Sequence, residues 1–296
     1  MKIFTNIKLI LTYLLIYSSL NGQESVYNEI ETLVNEGKYE KAETLIISEI
    51  LVKKDEYLLE LLGDVYGYQK KWEKSKIEYK KLVEMHPYNA NYHFKYGGVL
   101  GMIALENKIK GLMLVDDIKY AFNKTAKLNP NHVDVRWALL ELYIQLPGVF
   151  GGSFKKAEQY ANELSAILEI EGLLAKGYIA DYRGNEEEKM KYSKMAMKYI
   201  HTVKEDYPRN NINYQIGKIA ANYNINLDDG IIHLNRYIKN YTVADNVSLN
   251  WIYLNLARIY QLKKDKNNAL ISIEKALLIR PDFKWALQIK QEIESM

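Results

Sequence analysis

The sequence predicts an all-α protein built as a solenoid of helix hairpins. Four of its five prolines, Pro87, Pro130, Pro208 and Pro281, each follow a segment with helical periodicity and precede another such segment. Proline ends a helix because it lacks the backbone N–H and clashes with the preceding turn. Between the prolines the chain divides into pairs of helical segments, and internal repeats of about 20 to 50 residues are typical of solenoids.

Residues 250–283 form the clearest repeat. Counting back from Pro281 as position 32 of a unit of about 34 residues, large residues fall at positions 4, 7, 11 and 24 and small ones at 8, 20 and 27. Small residues at 8 and 20 let the two helices of a hairpin approach closely, and the large residues fill the space between hairpins. The matching residues are Tyr253, Leu256, Ala257, Tyr260, Ala269, Ile273 and Ala276.

This pattern resembles the tetratricopeptide repeat. The resemblance implies a right-handed α-solenoid of about seven hairpins, with residues 284–296 as a C-terminal capping helix that covers the last apolar face. The unit that ends at Pro87 also fits, and residues 23–55 form a partial first unit around Gly37 and Ala42. Four looser units follow at 90–132, 133–169, 170–210 and 211–247. The repeat array is therefore expected to cover residues 23–283.

Residues 1–22 read as a secretory signal peptide. Lys2 and Lys8 precede a run of twelve mostly apolar residues, and we expect cleavage near Gly22. The apolar run is shorter than the roughly 20 residues that a membrane span needs; a retained anchor or a buried first helix are the alternatives. The mature protein is thus expected to be exported, periplasmic or extracellular, without a stable membrane span.

Composition excludes several classes of function. The chain has no cysteine, so disulfides, thiolate metal sites and cysteine nucleophiles are excluded. Its net charge of +3 is too small for the basic stripe typical of nucleic-acid binding. The five histidines have no metal-site spacing. We therefore expect no metal, no cofactor, no nucleic-acid partner and no catalytic residues.

In the family that the sequence resembles, positions 2, 5, 9 and 12 of each first helix face a concave groove. In this sequence those positions are aromatic and acidic more than basic, which suits a peptide segment anchored by aromatic side chains. The family's lysine and asparagine clamp for terminal carboxylates is absent. A register error of one residue would instead make Trp137 or Trp251 a core residue. The predicted groove residues are Tyr57, Glu60, Asp64, Asn91, Phe94, Trp137, Glu141, Trp251 and Arg258.

The stretch "LPGVFGGSFKKAEQY" (146–160) raises the question of a phosphate-binding loop. It lacks the G-x-x-x-x-G-K-[ST] spacing, and a helical segment precedes it. We interpret it as a long bend between two helices, with Ser153 as the N-cap of the second. A functional loop is the alternative, with Gly148, Gly151, Gly152 and Ser153 as candidates. Similar loops occur in exported proteins that resemble the partner subunit of TRAP-type solute transporters.

The sequence therefore predicts a non-catalytic scaffold that binds a peptide segment of a partner protein in the cell envelope. The alternative is a soluble ligand-binding or partner subunit beside a solute transporter. A hydrophobic hole large enough for a small ligand would favour this alternative.

Overall fold

The computed structural model describes residues 26–53 and 55–296, and every regular element in these ranges is helical. The predicted signal peptide, residues 1–22, lies outside them. In the described part of the chain fifteen α-helices follow one another, which confirms the predicted all-α solenoid. The helices are α1 (26–35), α2 (Tyr39–Val52), α3 (Glu56–Tyr68), α4 (Trp72–Met85), α5 (Ala90–Glu106), α6 (Lys108–Leu128), α7 (Val133–Gln145), α8 (Phe154–Ile167), α9 (Glu169–Tyr182), α10 (Glu186–Ala196), α11 (Asn211–Tyr223), α12 (Leu227–Lys239), α13 (Leu249–Leu262), α14 (Lys266–Ile279) and α15 (Lys284–Glu294).

The described residues form two compact units, which divide between Gly111 and Leu112. The division falls within α6. Two short 3₁₀ helices, Gly148–Phe150 and Met197–Thr202, lie in the second unit.

In the first unit, α3 and α4 pack closely because the repeat places small residues between them. A Cβ atom on Gly63 would lie 2.9 Å from the ring of Tyr79, so glycine is required for this approach. Ser75, on α4, donates a hydrogen bond from its hydroxyl to the carbonyl oxygen of Gly63 at 2.7 Å. Ala42 on α2 is fully buried. The predicted small positions therefore do lie at helix contacts.

In the second unit the same contact recurs between α11 and α12. A Cβ atom on Gly217 would lie 2.2 Å from Cγ of Leu234, and one on Gly230 would lie 2.6 Å from Cβ of Ala220. The contact between α11 and α12 therefore leaves no room for a side chain at either glycine.

The helix α15 covers the end of the second unit, as a capping helix should. Ala286 and Ile293 are fully buried against the apolar residues of α13 and α14. Burial of this face removes apolar surface that would otherwise contact water. The cluster that it completes contains Leu254, Ala257, Ala269, Ile273, Ala276 and Phe283.

Side-chain caps fix where several helices begin. Asp55, Asn89, Ser153, Asn185 and Asp265 each accept a hydrogen bond from a backbone N–H in the first turn of the following helix. Such caps satisfy N–H groups that have no partner within the helix. Within the ranges given above, none of the helices combines the length and the apolar character needed to span a bilayer.

Candidate partner-binding site

In the first unit, α1, α3 and α5 present one shared face. The hydroxyl of Tyr57 on α3 donates a hydrogen bond to Oε1 of Glu31 on α1 at 2.5 Å. Towards α5, the same face of α3 carries Glu60, whose Oε1 accepts a hydrogen bond from Nδ2 of Asn91 at 3.0 Å. These contacts join the first helices of three successive hairpins. The structure thus brings together four of the predicted groove residues, Tyr57, Glu60, Asp64 and Asn91.

Lys95 is a member of this face that the sequence analysis missed. Its Nζ lies 2.8 Å from Oε1 of Glu60 and 2.7 Å from Oδ2 of Asp64. Burial alone would lower the pKa of Lys95, but the two carboxylates outweigh this effect and the pKa is raised. The lysine therefore stays charged and fixes both acids in place. Tyr79 also donates its hydroxyl hydrogen to Asp64.

An open, acidic and aromatic cleft of about 460 Å³ lies at the start of α3. Tyr57 is 39% exposed there, and its ring packs edge-on against Tyr27 at a centroid distance of 5.3 Å. The hydrogen bond to Glu31 raises the pKa of Tyr57 to about 12, so the phenol stays neutral. The cleft is lined by Asp55, Glu56, Tyr57, Glu60 and Tyr92.

Asp55 stays ionised at the edge of this cleft. Burial raises the pKa of its carboxyl, but hydrogen bonds from the Tyr27 hydroxyl and the backbone N–H of Tyr57 outweigh burial, and the pKa is lowered. Oε2 of Glu56 lies 2.7 Å from Nε2 of His86. Phe94, also predicted for this face, is partly buried on α5.

In the second unit the expectation for Trp137 needs correction. Trp137 is only 6% exposed, and its Nε1–H donates to Oε2 of the fully buried Glu171 at 2.8 Å. The guanidinium carbon of Arg209 lies 4.8 Å from the centre of its ring. Trp137 is therefore a core residue, because α9 supplies a buried acceptor for its N–H. The sequence carried no signal for this partner, which lies 34 positions further along the chain.

Glu141, one helical turn after Trp137, is exposed on α7. Desolvation raises the pKa of its carboxyl above the ordinary value, and the positive charge of Arg209 only partly opposes this. Glu141 is therefore accessible to solvent, although the surrounding protein atoms desolvate its carboxylate. Tyr178 on α9 is close enough for its own pKa to be raised, first by burial and then by the charge of Glu141.

Trp251 and Arg258 both lie on α13. Trp251 is 36% exposed and packs edge-on against Phe283 at a centroid distance of 4.7 Å. Arg258 is partly buried, and its Nη1 donates to Oδ1 of Asn222 on α11 at 2.7 Å. The side chains of α11 and α13 therefore meet at this point.

The glycine-rich loop is a compact bend in which four successive backbone N–H groups, those of residues 150–153, donate to backbone carbonyl oxygens of the bend and of α7. The N–H groups of Phe150 and Gly152 donate to the Pro147 carbonyl oxygen, that of Gly151 to Gly148, and that of Ser153 to Tyr143 at 2.8 Å. A phosphate-binding loop needs such N–H groups free to point at the ligand. The bend itself accounts for two glycines: Gly151 has a φ of +87°, and a Cβ atom on Gly152 would lie 1.7 Å from the carbonyl oxygen of Leu146.

Ser153 caps α8, as predicted, by accepting a hydrogen bond from the N–H of Lys156 at 3.3 Å. Lys119 on α6 donates from its Nζ to the Phe150 carbonyl oxygen at 3.0 Å and ties the loop down. Between these anchors the side chain of Val149 is 88% exposed.

A cleft of about 520 Å³ opens in the second unit between the start of α7 and the segment before α11. Its lining mixes charged residues, including Asp134 and Lys204, with apolar ones, including Ile167 and Pro208. It is thus not the purely hydrophobic hole that would favour a transporter-associated subunit. In the part of the chain that the structure describes, no three His, Asp or Glu side chains are grouped so as to hold a metal ion.

Comparisons with known proteins show similarity of fold. No protein-family model and no curated protein matches this sequence. The structure is similar to the human IFIT1 dimer with PPP-AAAA (TM-score 0.52, 16% identity, 86% of this chain and 54% of that chain). It is also similar to the APC/C hetero-tetramer Cut9-Hcn1 (TM-score 0.51, 17% identity, 89% and 48%).

The chain thus spans about half the length of each of these two proteins. A tetratricopeptide repeat protein from Parabacteroides merdae matches over almost the whole of both chains, 92% and 98%, at 15% identity and a TM-score of 0.49. At identities this low, the similarities concern the fold alone.

Proposed function

We propose that this chain, which has the tetratricopeptide-repeat fold, is a non-catalytic scaffold that binds a peptide segment of a partner protein on the face formed by α1, α3 and α5. Proteins with this fold serve generally as interaction scaffolds. A fold does not identify a binding partner, so we infer the kind of partner from the side chains on this one face.

The observation that carries the proposal is an exposed tyrosine held rigidly among carboxylates. Tyr57 is fixed by its hydrogen bond to Glu31 and by the ring of Tyr27. A preorganised tyrosine loses little side-chain freedom on binding, which suits an anchor residue of an interface. Its neighbours Glu60 and Asp64 are likewise held in place by Lys95.

The negative charge of this face favours binding of a basic peptide segment. Five carboxylates lie on this face, and three cationic groups contact them among the described residues, so the carboxylates outnumber these cations and the face complements a segment rich in lysine or arginine. Lysine and arginine can also stack on exposed tyrosine rings. The acids are Glu31, Asp55, Glu56, Glu60 and Asp64, and the groups that contact them are Lys53, His86 and Lys95.

Selection from a displayed library of random twelve-residue peptides tests this proposal. Peptides selected on the wild-type protein are expected to be enriched in lysine and arginine. Their affinity, measured by isothermal titration calorimetry, should fall at least tenfold for Tyr57→Ala, because truncation of an anchor residue costs about 2 kcal/mol or more. Glu187→Gln, on the exposed start of α10, is the matched control and should change nothing. Selected peptides without a basic bias, or equal affinities for Tyr57→Ala and wild type, would refute the proposal.

We also propose that the protein acts in the cell envelope after export. The support is the sequence of residues 1–22 alone. N-terminal sequencing of the protein purified from its host tests this directly, since cleavage near Gly22 predicts a mature chain that begins close to Gln23. A chain that retains Met1 and remains in the cytoplasmic fraction would contradict it.

A further inference from the structure

A second cleft of the first unit, of about 530 Å³, adjoins the acidic cleft at the start of α3. It lies between the end of α2, the start of α3 and the end of α4, so it includes two helices that take no part in the face of α1, α3 and α5. Asp55 and Glu56 line both clefts. The two clefts therefore share a wall, and a bound segment that crosses these two acids would contact both.

Apolar side chains from all three helices line this second cleft. Ile50 and Leu59 are partly buried, and Ile50 also packs against the core cluster that contains Ala42 and Ile46. Met85, at the end of α4, is 51% exposed. One side of the cleft is therefore anchored in the core, whereas the flexible methionine can adapt to the shape of an apolar group.

The charges of the second cleft do not oppose a basic segment. Lys81 is the one cation among the described lining residues, and its Nζ donates to Oε1 and Oε2 of Glu78 at 3.0 Å and 2.9 Å. Its ammonium is thus compensated, while its methylene chain can cover apolar surface. Three carboxylates, those of Asp55, Glu56 and Glu84, share the lining with it. The cations outside the lining that contact these acids are Lys53, Lys80 and His86.

We propose that the second cleft takes a large apolar side chain of the same partner segment whose basic residues lie on the acidic face. This inference rests on the proposed function and narrows the partner to a segment with two parts. A leucine, isoleucine, methionine or phenylalanine stands at a fixed spacing from the lysines or arginines. Burial of the apolar side chain strengthens binding, and the charges orient the segment. Together the two clefts distinguish this partner from segments that are merely basic.

A series of synthetic peptides tests the proposal by isothermal titration calorimetry against the full chain. Each peptide has blocked ends, the sequence Lys-Ser-Lys-Ser-Lys and one leucine, which is separated from this block by one to five serines on either side. In the parent peptide serine replaces the leucine. We expect one spacing to bind about tenfold more tightly than the parent, because burial of a leucine side chain strengthens binding by about this factor or more. A parent peptide that binds as tightly as every leucine peptide would overturn the inference and leave the proposed function standing.

Variants of the protein locate the leucine. Met85→Gln keeps the length of a half-exposed side chain, so it should remove the advantage of the leucine peptide and leave the affinity of the parent unchanged. Met190→Gln, which is 40% exposed on α10, is the matched control and should change neither affinity. Tyr57→Ala should weaken both peptides. A leucine advantage that persists in Met85→Gln would place the apolar side chain elsewhere and overturn the inference.

The remaining outcomes separate this inference from the proposed function. Binding of the leucine peptide that requires Met85 but neither Tyr57 nor the lysines would support the apolar site and contradict the proposed function. Absence of binding by every peptide would contradict both. Sedimentation velocity adds a further check: if the wild-type protein self-associates and Met85→Gln abolishes this, the occupant is a second copy of the chain and the inference is overturned.

Discussion

Glu171 and Arg209 form an ion pair that is almost completely enclosed by the second unit. Nη1 of Arg209 lies 3.3 Å from Oε1 of Glu171, and the two side chains are 7% and 0% exposed. Trp137 and Tyr207 donate to the same carboxylate at 2.8 Å and 3.1 Å. Three side chains, those of Trp137, Tyr207 and Arg209, therefore converge on one buried carboxylate.

Replacement of this carboxylate should strongly destabilise the fold. Glu171→Gln leaves the Arg209 charge without its buried partner, and the loss of one member of such a pair costs about 3–5 kcal/mol. Urea unfolding of the variant should show this loss. Glu158→Gln removes an exposed acid that pairs with Arg183 and should change the free energy of unfolding by less than about 0.5 kcal/mol. Equal unfolding midpoints for the two variants would show that the buried ion pair contributes no more to the free energy of unfolding than the exposed pair does.

Two glycines at different places in the helices should respond in opposite directions. Gly217→Ala places a Cβ atom 2.2 Å from Cγ of Leu234, so overpacking should cost about 1–3 kcal/mol. A Cβ atom on Gly98, inside α5, meets no atom within 4 Å, so Gly98→Ala should stabilise the helix by up to about 1 kcal/mol. Thermal unfolding of the two variants checks both signs. A stable Gly217→Ala protein would mean that α11 and α12 are further apart than described.

The repeat pattern thus predicted where helices pack but not which polar groups lie between them. The small positions at Gly63 and Ala269 and the cap at Ser153 follow local rules, so spacing in the sequence was enough to find them. Trp137 and Lys95 were misjudged or missed because their partners lie 34 and 31 or more residues away. Which neighbouring helix covers a side chain depends on packing that a repeat position does not specify.

The buried His233 should make stability depend on pH. Its Nδ1 lies 2.7 Å from Oδ1 of Asn213, and burial lowers its pKa to about 4. In the unfolded chain the pKa is about 6.5, so the unfolded state binds the proton first and the fold loses stability as the pH falls from about 6.5 towards 4. Between pH 7.5 and 5.0 this loss should amount to about 2 kcal/mol in urea unfolding.

His233→Gln should show a flatter dependence over the same interval, because no group at that site then titrates. His201→Gln, which changes an exposed histidine, should keep the wild-type dependence. A dependence that survives in His233→Gln would assign the effect to other groups.

The loop at residues 148–153 should tolerate change at one glycine and not at another. Gly152→Ala would place a Cβ atom 1.7 Å from a backbone oxygen, which forces the bend to rearrange, whereas a Cβ atom on Gly148 meets nothing within 4 Å. Limited proteolysis should therefore cleave the Gly152→Ala loop much faster than the wild-type loop and leave Gly148→Ala unaffected. Equal cleavage of all three proteins would show that the loop does not need this conformation.

Site-specific photocrosslinking in the native host tests most directly whether the face of α1, α3 and α5 binds a partner. A photoreactive phenylalanine replaces Tyr57 on this face in one strain and Tyr88, which is 80% exposed on the turn before α5, in another. We expect one discrete crosslinked protein at position 57, attached through a segment rich in lysine or arginine, and no such product at position 88. The same product at both positions, or none at position 57, would show that this face does not bind a partner segment.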